Sequence, residues 1–289
     1  MKHASLSAFI RLAWLAVSTI LPLAAHSQDV QAFPAKAVTI VTTFSAGSGP
    51  DAMMRAVGEK LAVAWKRPVI IDNRPGGAGF IAINAAKAAG ADGHTLLMHD
   101  GEALSALPHL YPSRNFKTFE AFDPVGVLYS TPFMVVVPSA SKWTSMSELI
   151  SAAKTKPGGV SFGTWGVGSS THLQSVLLEN RAGVRMLHVP YKEMSMLYTG
   201  LSTGETDWAF GGAASTQFAY QSGKVRYLAV AARERVPQFP QVPTVAESGG
   251  PANFEFKAFV ALLAPRGTPE AVRNKINADL LKAVADPEI

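Results

Sequence analysis

Short apolar runs alternate with stretches of helical spacing along most of the chain. The β-branched run 38–41 predicts a strand, and the helix that follows it starts near Pro50, because Met54, Val57 and Leu61 then share one face. Further strands are predicted at residues 68–71, 95–98, 125–128, 133–137, 227–231 and 259–263. Further helices are predicted at residues 82–89, 145–153, 170–182 and 268–285, with Ser145 and Thr268 as N-caps.

This alternation predicts an α/β protein with a mostly parallel sheet and helices on both of its faces. Roughly 260 residues of such a pattern are more than a single hydrophobic core usually serves, so two α/β lobes are expected.

Composition narrows the function classes. The 289 residues are 48% hydrophobic and 16% charged, which indicates a globular chain, and the absence of cysteine excludes thiol nucleophiles, thiolate metal sites and disulfides. The net charge of +5 comes from 26 basic and 21 acidic residues spread along the chain without a basic run, so no nucleic-acid partner is expected.

The first residues have the pattern of an export signal. Lys2 and Arg11 precede the apolar stretch 12–25, which is too short to span a bilayer, and small residues precede a cleavage site near Ser27–Gln28. The alternative is a buried core helix. Residues 1–27 are therefore predicted to be a signal peptide, with the mature protein outside the cytoplasm.

Catalytic and cofactor motifs are missing. The sequence contains no G-x-S-x-G, phosphate-loop or H-E-x-x-H pattern, and residues 72–75 interrupt the loose dinucleotide fingerprint at 77–82. His99, Asp100 and Glu102 form a local acid and imidazole group, but neighbours on an extended segment point to opposite sides. We therefore predict no catalytic residue, no metal and no cofactor.

Two glycine-rich loops have the pattern of anion sites. Residues 44–51 and 163–172 each join a strand to a helix start, where backbone N–H groups and the helix dipole favour a negative charge. The alternative is that the glycines serve packing alone. If the loops belong to different lobes, a small carboxylate is gripped from both sides of a cleft at the carboxyl ends of the strands.

Six ordered segments resemble the Bug-type extracytoplasmic solute receptors of tripartite tricarboxylate transport systems. The segments are residues 41–51, 72–79, 92–97, 166–172, 188–192 and 242–249. The resemblance implies a two-lobed periplasmic-binding-protein (Venus-flytrap) fold, with lobe 1 at residues 28–129 plus 241–289 and lobe 2 at residues 130–240. It also implies a periplasmic monomer that delivers a small carboxylate to a two-subunit membrane transporter.

From the two loops and the resemblance, the following residues are predicted to bind ligand: Phe44, Ser45, Ala46, Gly47, Ser48, Gly49, Gly79, Asp100, Trp165, Gly166, Gly168, Ser169, Ser170, His172, Pro190, Tyr191 and Gly211.

Several positions of this sequence differ from the family pattern, and these differences bear on the identity of the ligand rather than on the fold. Asp100 and Glu102 stand where relatives commonly have small residues, and Gly211 stands where many have an aspartate that meets a ligand amine. A plain amino acid held in the family manner is therefore not expected. A larger, aromatic or partly cationic ligand against Trp165 fits better.

Three function classes remain. A transport receptor fits an exported binder without catalytic groups, a receptor for a signalling membrane protein uses the same cleft, and an exported hydrolase needs an activated nucleophile that no motif supplies. The resemblance also predicts that lobe 1 is shortened, because relatives continue beyond Ile289 through a further strand and helix.

Overall fold

The computed structural model describes residues 33–289, and the predicted signal peptide lies outside the described residues. The strands are β1 (Val38–Thr42), β2 (Val69–Asn73), β3 (Thr95–Asp100), β4 (Phe122–Pro138), β5 (Ser161–Thr164), β6 (Leu187–Pro190), β7 (Trp208–Gly212), β8 (Val225–Val230) and β9 (Lys257–Pro265). The helices are α1 (Gly49–Trp65), α2 (Phe80–Lys87), α3 (Gly101–Leu110), α4 (Thr118–Ala121), α5 (Met146–Thr155), α6 (Ser170–Ala182), α7 (Met194–Thr203), α8 (Ala213–Gln221) and α9 (Glu270–Val284).

The strands follow the order β2-β1-β3-β9-β4-β7-β5-β6, with β8 also paired to β4. Pairing is parallel where β1 meets β2 and β3, and where β5 meets β6 and β7. Strands β4 and β9 run antiparallel to their neighbours, so the sheet is mixed. Helices connect β1 to β2 to β3 and β5 to β6 to β7, the strands that form the parallel pairs, as the alternating pattern predicts.

Strand β4 joins the two halves of the sheet. Its first part pairs with β9 as far as Pro132, and from Phe133 onward it pairs with β7 and β8. The sequence prediction of two separate strands here is wrong. Proline removes one backbone donor, but the carbonyls and the remaining N–H groups on either side continue the ladder.

Each half of the sheet has its own apolar core. On the β1–β3 side, Leu97, Ile83 and Phe122 are buried together. On the β5–β7 side, the buried cluster includes Trp208 and Phe162. Burying such side chains stabilises the fold by about 1.5–3 kcal/mol each. The residue boundaries predicted for the two lobes remain a prediction.

Capping side chains set several helix starts. Ser145 accepts a hydrogen bond from the Glu148 N–H at 3.2 Å, as predicted for α5. The cap of α9 differs from the prediction, because Pro269 occupies the cap position and the Thr268 hydroxyl donates to the Pro265 carbonyl. Within residues 33–289, no helix combines the length and apolar character needed to cross a membrane.

Candidate functional site

Two adjoining cavities lie where several strands end. Cavity A, of about 390 Å³, is bounded by the starts of α1 and α8 and by the middle of β4. Cavity B, of about 520 Å³, is bounded by the loops after β1, β2, β5 and β6 and by the end of β3. Both cavities share the side chains of Phe44, Asp100, Trp165 and Met194. A ligand that fills either cavity therefore meets these four residues.

Most of the predicted site residues line these cavities. Cavity B is lined by Phe44, Ser45, Gly79, Asp100, Trp165, Gly166, Gly168, Ser169 and Tyr191, and cavity A adds Gly49. Strands β1 and β3 are parallel neighbours, as are β5 and β6, so the loops at their carboxyl ends converge. The strand-to-helix pattern found the positions in the two glycine-rich loops, and the family resemblance found Gly79, Asp100 and Tyr191.

The middle of the first loop lies outside both cavity linings. Ala46 and Gly47 are exposed, and Ser48 precedes α1 without a side-chain capping bond. The Gly47 N–H donates to Asp51 Oδ2 at 2.8 Å, so this loop donor is satisfied by the protein itself. The predicted grip of residues 46–48 on a ligand stays a prediction.

Asp51 holds this loop in place. Its carboxylate also accepts hydrogen bonds from Arg55 Nε at 3.0 Å and from Asn73 Nδ2 at 2.7 Å. Burial alone raises the pKa of Asp51, but the bonds from Arg55, Asn73 and Gly47 outweigh it and leave the pKa below its ordinary value. Asp51 is therefore ionised and structural.

The second loop binds one of the protein's own carboxylates. Ser169 caps α6, since its hydroxyl accepts the His172 N–H at 3.3 Å. The buried Ser170 hydroxyl donates to Asp100 Oδ2 at 2.6 Å. A negative charge thus already lies at the start of α6. This differs from the expectation that both loops present free donors to a ligand.

Three predicted residues lie beside the cavities. The His172 ring accepts the Gly168 N–H at 3.3 Å and stacks on His188 at 4.3 Å. Pro190 ends β6 next to Thr164. Gly211 is buried, and a Cβ there would lie 2.9 Å from the Tyr198 hydroxyl, so this position has no room for a side chain that could reach a ligand.

His99, Asp100 and Glu102, the acid and imidazole group at the end of β3, each make different hydrogen bonds. His99 Nδ1 lies 2.8 Å from the Asp100 carbonyl oxygen, and the Asp100 carboxylate accepts the Ala103 N–H at 2.9 Å as the cap of α3. Glu102 accepts a hydrogen bond from Gln174 at 3.2 Å. Among residues 33–289, no group of three acidic or imidazole side chains is arranged to hold a metal.

Some lining residues were not predicted. Tyr129 lies inside β4, Met53 within α1 and Met194 at the start of α7, and no local motif marks any of them. Burial, with the charge of Asp100, raises the pKa of Tyr129, so its hydroxyl is neutral. His99 also lines cavity B, and its position at a strand end was the available signal.

Trp165 is held against the core. Its ring meets Phe133 edge-on, with centroids 5.9 Å apart, and it is half-buried. The remaining face lines both cavities. An aromatic wall in the same cavities as Asp100 suits an apolar, aromatic or cationic ligand group.

Comparison with known proteins gives a consistent result. A family model described as "Tripartite tricarboxylate transporter family receptor" matches residues 53–289. A protein encoded in the tcbD-tcbE intergenic region of Pseudomonas sp. (strain P51), named UPF0065 protein, is 35% identical over 264 residues, covering 91% of this chain and 78% of the relative.

Solved structures agree with this match. MatC from Rhodopseudomonas palustris with bound malate superposes with a TM-score of 0.82 at 28% identity, covering 89% of this chain and 87% of MatC. The periplasmic binding protein BugD superposes with a TM-score of 0.80 at 28% identity, covering 89% of this chain and 85% of BugD.

Proposed function

Because the chain belongs to the tripartite tricarboxylate transporter receptor family, we propose that it captures a small carboxylate-bearing solute in cavities A and B. Membership confirms the resemblance to Bug-type receptors and makes the chain a solute-binding receptor rather than an enzyme. The α/β periplasmic-binding-protein fold predicted from the sequence is confirmed as well.

One observation carries the assignment of the binding place. The two cavities meet at Phe44, Asp100, Trp165 and Met194, which come from different strand ends. Open α/β sheets bind ligands at such ends, and concave sites of a few hundred Å³ suit small molecules. Bound malate in MatC supports a carboxylate as the ligand.

The first loop is the place proposed for the ligand carboxylate. Ser45 and Gly49 line the cavities beside the start of α1. The charge of Asp51 in this first turn is paired with Arg55, so the helix dipole still favours an anion there. The other predicted site residues are included because of the family resemblance. We propose that each of them contacts the ligand directly.

Export and delivery complete the proposal. The family is periplasmic, and the pattern of residues 1–27 supports cleavage near Gln28. The protein acts as a monomer that passes its solute to a two-subunit membrane transporter. Mass spectrometry of the protein recovered from periplasmic extract should give a chain that starts at Gln28, and an uncut chain would contradict this part.

A thermal-shift panel tests solute capture. The purified protein is melted with dicarboxylates including malate, with aminocarboxylates and with aromatic acids at matched ionic strength. A saturable rise in melting temperature with at least one carboxylate is expected, because a ligand that binds only the native state stabilises it. Turnover of the recovered ligand, or no stabilisation by any carboxylate, would contradict the proposal.

A further inference from the structure

Two side chains with hydrogen-bond acceptors lie at the end of β3 and line cavity B. His99 is only 4% exposed and Asp100 only 6% exposed, yet both side chains line this cavity. Buried polar atoms in native proteins are nearly always paired, so an unpaired one beside a cavity indicates a missing partner.

His99 has such an atom. Its Nδ1 lies 2.8 Å from the Asp100 carbonyl oxygen, which can only accept, so Nδ1 carries the proton. Burial lowers the pKa of His99, which keeps the ring neutral. Nε2 is then a lone-pair acceptor. It is buried beside Gly79, which also lines cavity B, and it has no hydrogen-bond partner among the described residues.

Asp100 adds a negative charge at the same place. Within residues 33–289, no lysine or arginine forms an ion pair with it. It accepts bonds from the Ala103 N–H and the Ser170 hydroxyl, which leaves further acceptor capacity on a group with about four lone-pair sites. The Asp100 carboxylate is therefore held by hydrogen bonds, and no lysine or arginine of the described residues pairs with it.

Positive charge is scarce around the two cavities. Among the described lining residues, Lys192 of cavity B is the one lysine or arginine, and it is exposed. Glu102 lies two residues from Asp100, and burial, with the charge of Asp100, raises its pKa. The raised pKa reduces the charge on Glu102, so the like charge that a second ligand carboxylate would meet at the start of α6 is that of Asp100, which Ser170 binds.

We propose that His99 and Asp100 form a subsite for a cationic, N–H-donating ligand group, so that the solute is an aminocarboxylate rather than a dicarboxylate. The ammonium donates to His99 Nε2 and to Asp100, and Trp165 provides an aromatic wall beside it. The carboxylate of the same ligand lies at the first loop. This inference rests on the proposed capture of a carboxylate and specifies its other end.

Matched ligand pairs test the subsite. Calorimetric titration compares γ-aminobutyrate with succinate, and para-aminomethylbenzoate with terephthalate, each pair differing in one charged end. The wild-type protein should bind the amine of at least one pair about tenfold or more tightly than its dicarboxylate partner, as expected for a charge-assisted hydrogen bond against like-charge repulsion.

Amino-acid substitutions test whether His99 and Asp100 cause the preference for the amine. Asp100→Asn keeps a good cap for α3 but removes the charge, and it should lose the preference for the amine. His99→Leu removes the acceptor and should weaken amine binding, while His99→Gln should restore part of it. Asp92→Asn removes a charge next to Lys36 in the loop before β3 and should leave the preference unchanged.

The outcomes separate the two proposals. Equal or tighter binding of the dicarboxylates by the wild-type protein would overturn the subsite and leave carboxylate capture standing. An amine preference that survives in Asp100→Asn would also overturn it. Binding confined to acids that carry no amine would also overturn the subsite alone. Absence of binding by every carboxylate of the thermal-shift panel would overturn the proposed function together with the subsite.

Discussion

The Ser170 hydroxyl donates a hydrogen bond of 2.6 Å to Asp100 Oδ2, and both residues are buried. The two residues are 70 positions apart in sequence and lie at the starts of α6 and α3. This bond links the β1–β3 side of the site to the β5–β7 side. It also places a protein carboxylate where the second loop was expected to hold a ligand.

Removing this hydroxyl should destabilise the protein. Ser170→Ala leaves a buried carboxylate without one of its donors, so the free energy of unfolding should fall by about 1–3 kcal/mol. Denaturant unfolding of the ligand-free protein measures it. Ser175→Ala on the same helix is the control, because that buried hydroxyl has no partner in the described chain and its loss should change little. Equal losses in the two variants would show that the Ser170 bond contributes nothing.

A methyl group at position 79 should close part of cavity B. Gly79 has φ +87°, and an added Cβ would lie 2.6 Å from His99 Nε2. Gly79→Ala should lower ligand affinity by about tenfold or more, measured by titration with the ligand found in the thermal-shift panel.

Gly183→Ala controls for backbone strain, since φ is +65° there and nothing lies within 4 Å of the added Cβ. Backbone strain should cost both variants roughly 1 kcal/mol of stability, and Gly79→Ala should lose more because its added Cβ lies too close to His99. Only Gly79→Ala should lose affinity. A normal affinity in Gly79→Ala would show that the ligand does not use this part of cavity B.

Acid should weaken the fold through His188. Burial, with the charge of His172, lowers the pKa of His188 to about 4 from its ordinary value of 6.5. Between these values the unfolded chain binds a proton that the native ring does not, so stability is complete above pH 6.5 and falls as pH decreases toward about 4.

Unfolding free energies across this pH range check the effect, and His188→Asn should show a smaller slope than the wild-type protein. A slope that is the same in both proteins would contradict the low pKa. Nuclear magnetic resonance titration of the His188 ring gives the same answer independently.

Asp51 should contribute more to the free energy of unfolding than an exposed aspartate does. Asp51→Asn weakens the bonds to Gly47 and Arg55 and should cost about 1–3 kcal/mol near neutral pH. The native pKa lies below its ordinary value of 3.8, so the wild-type advantage is present above that pH and is lost as pH falls through the native pKa. Asp72→Asn, which removes an exposed pair with Arg74, should cost at most about 1 kcal/mol. Equal costs for the two would contradict the structural role of Asp51.

The sequence predicted the elements that have a local signal. Apolar periodicity and β-branched runs located most of the strands and the long helices, and the glycine-rich loops located much of the cavity lining. The continuity of β4 through Pro132 was not predictable, because it depends on pairing with β9 more than a hundred residues later. The lining roles of Tyr129 and Met194 depend in the same way on long-range packing.

The hydrogen bond between Asp100 and Ser170 was not predictable from a local sequence pattern either. Asp100 caps α3, a helix that the apolar pattern did not predict. That it also binds Ser170 follows from the approach of two helices from different halves of the sheet, which no spacing in the sequence encodes.

A crystal structure of the protein with the carboxylate identified in the thermal-shift panel tests solute capture most directly. Ligand density is expected in cavities A and B, in contact with Trp165 and Phe44, with the carboxylate at the first loop near Ser45. Ligand density elsewhere on the protein, with both cavities filled only by water, would contradict it.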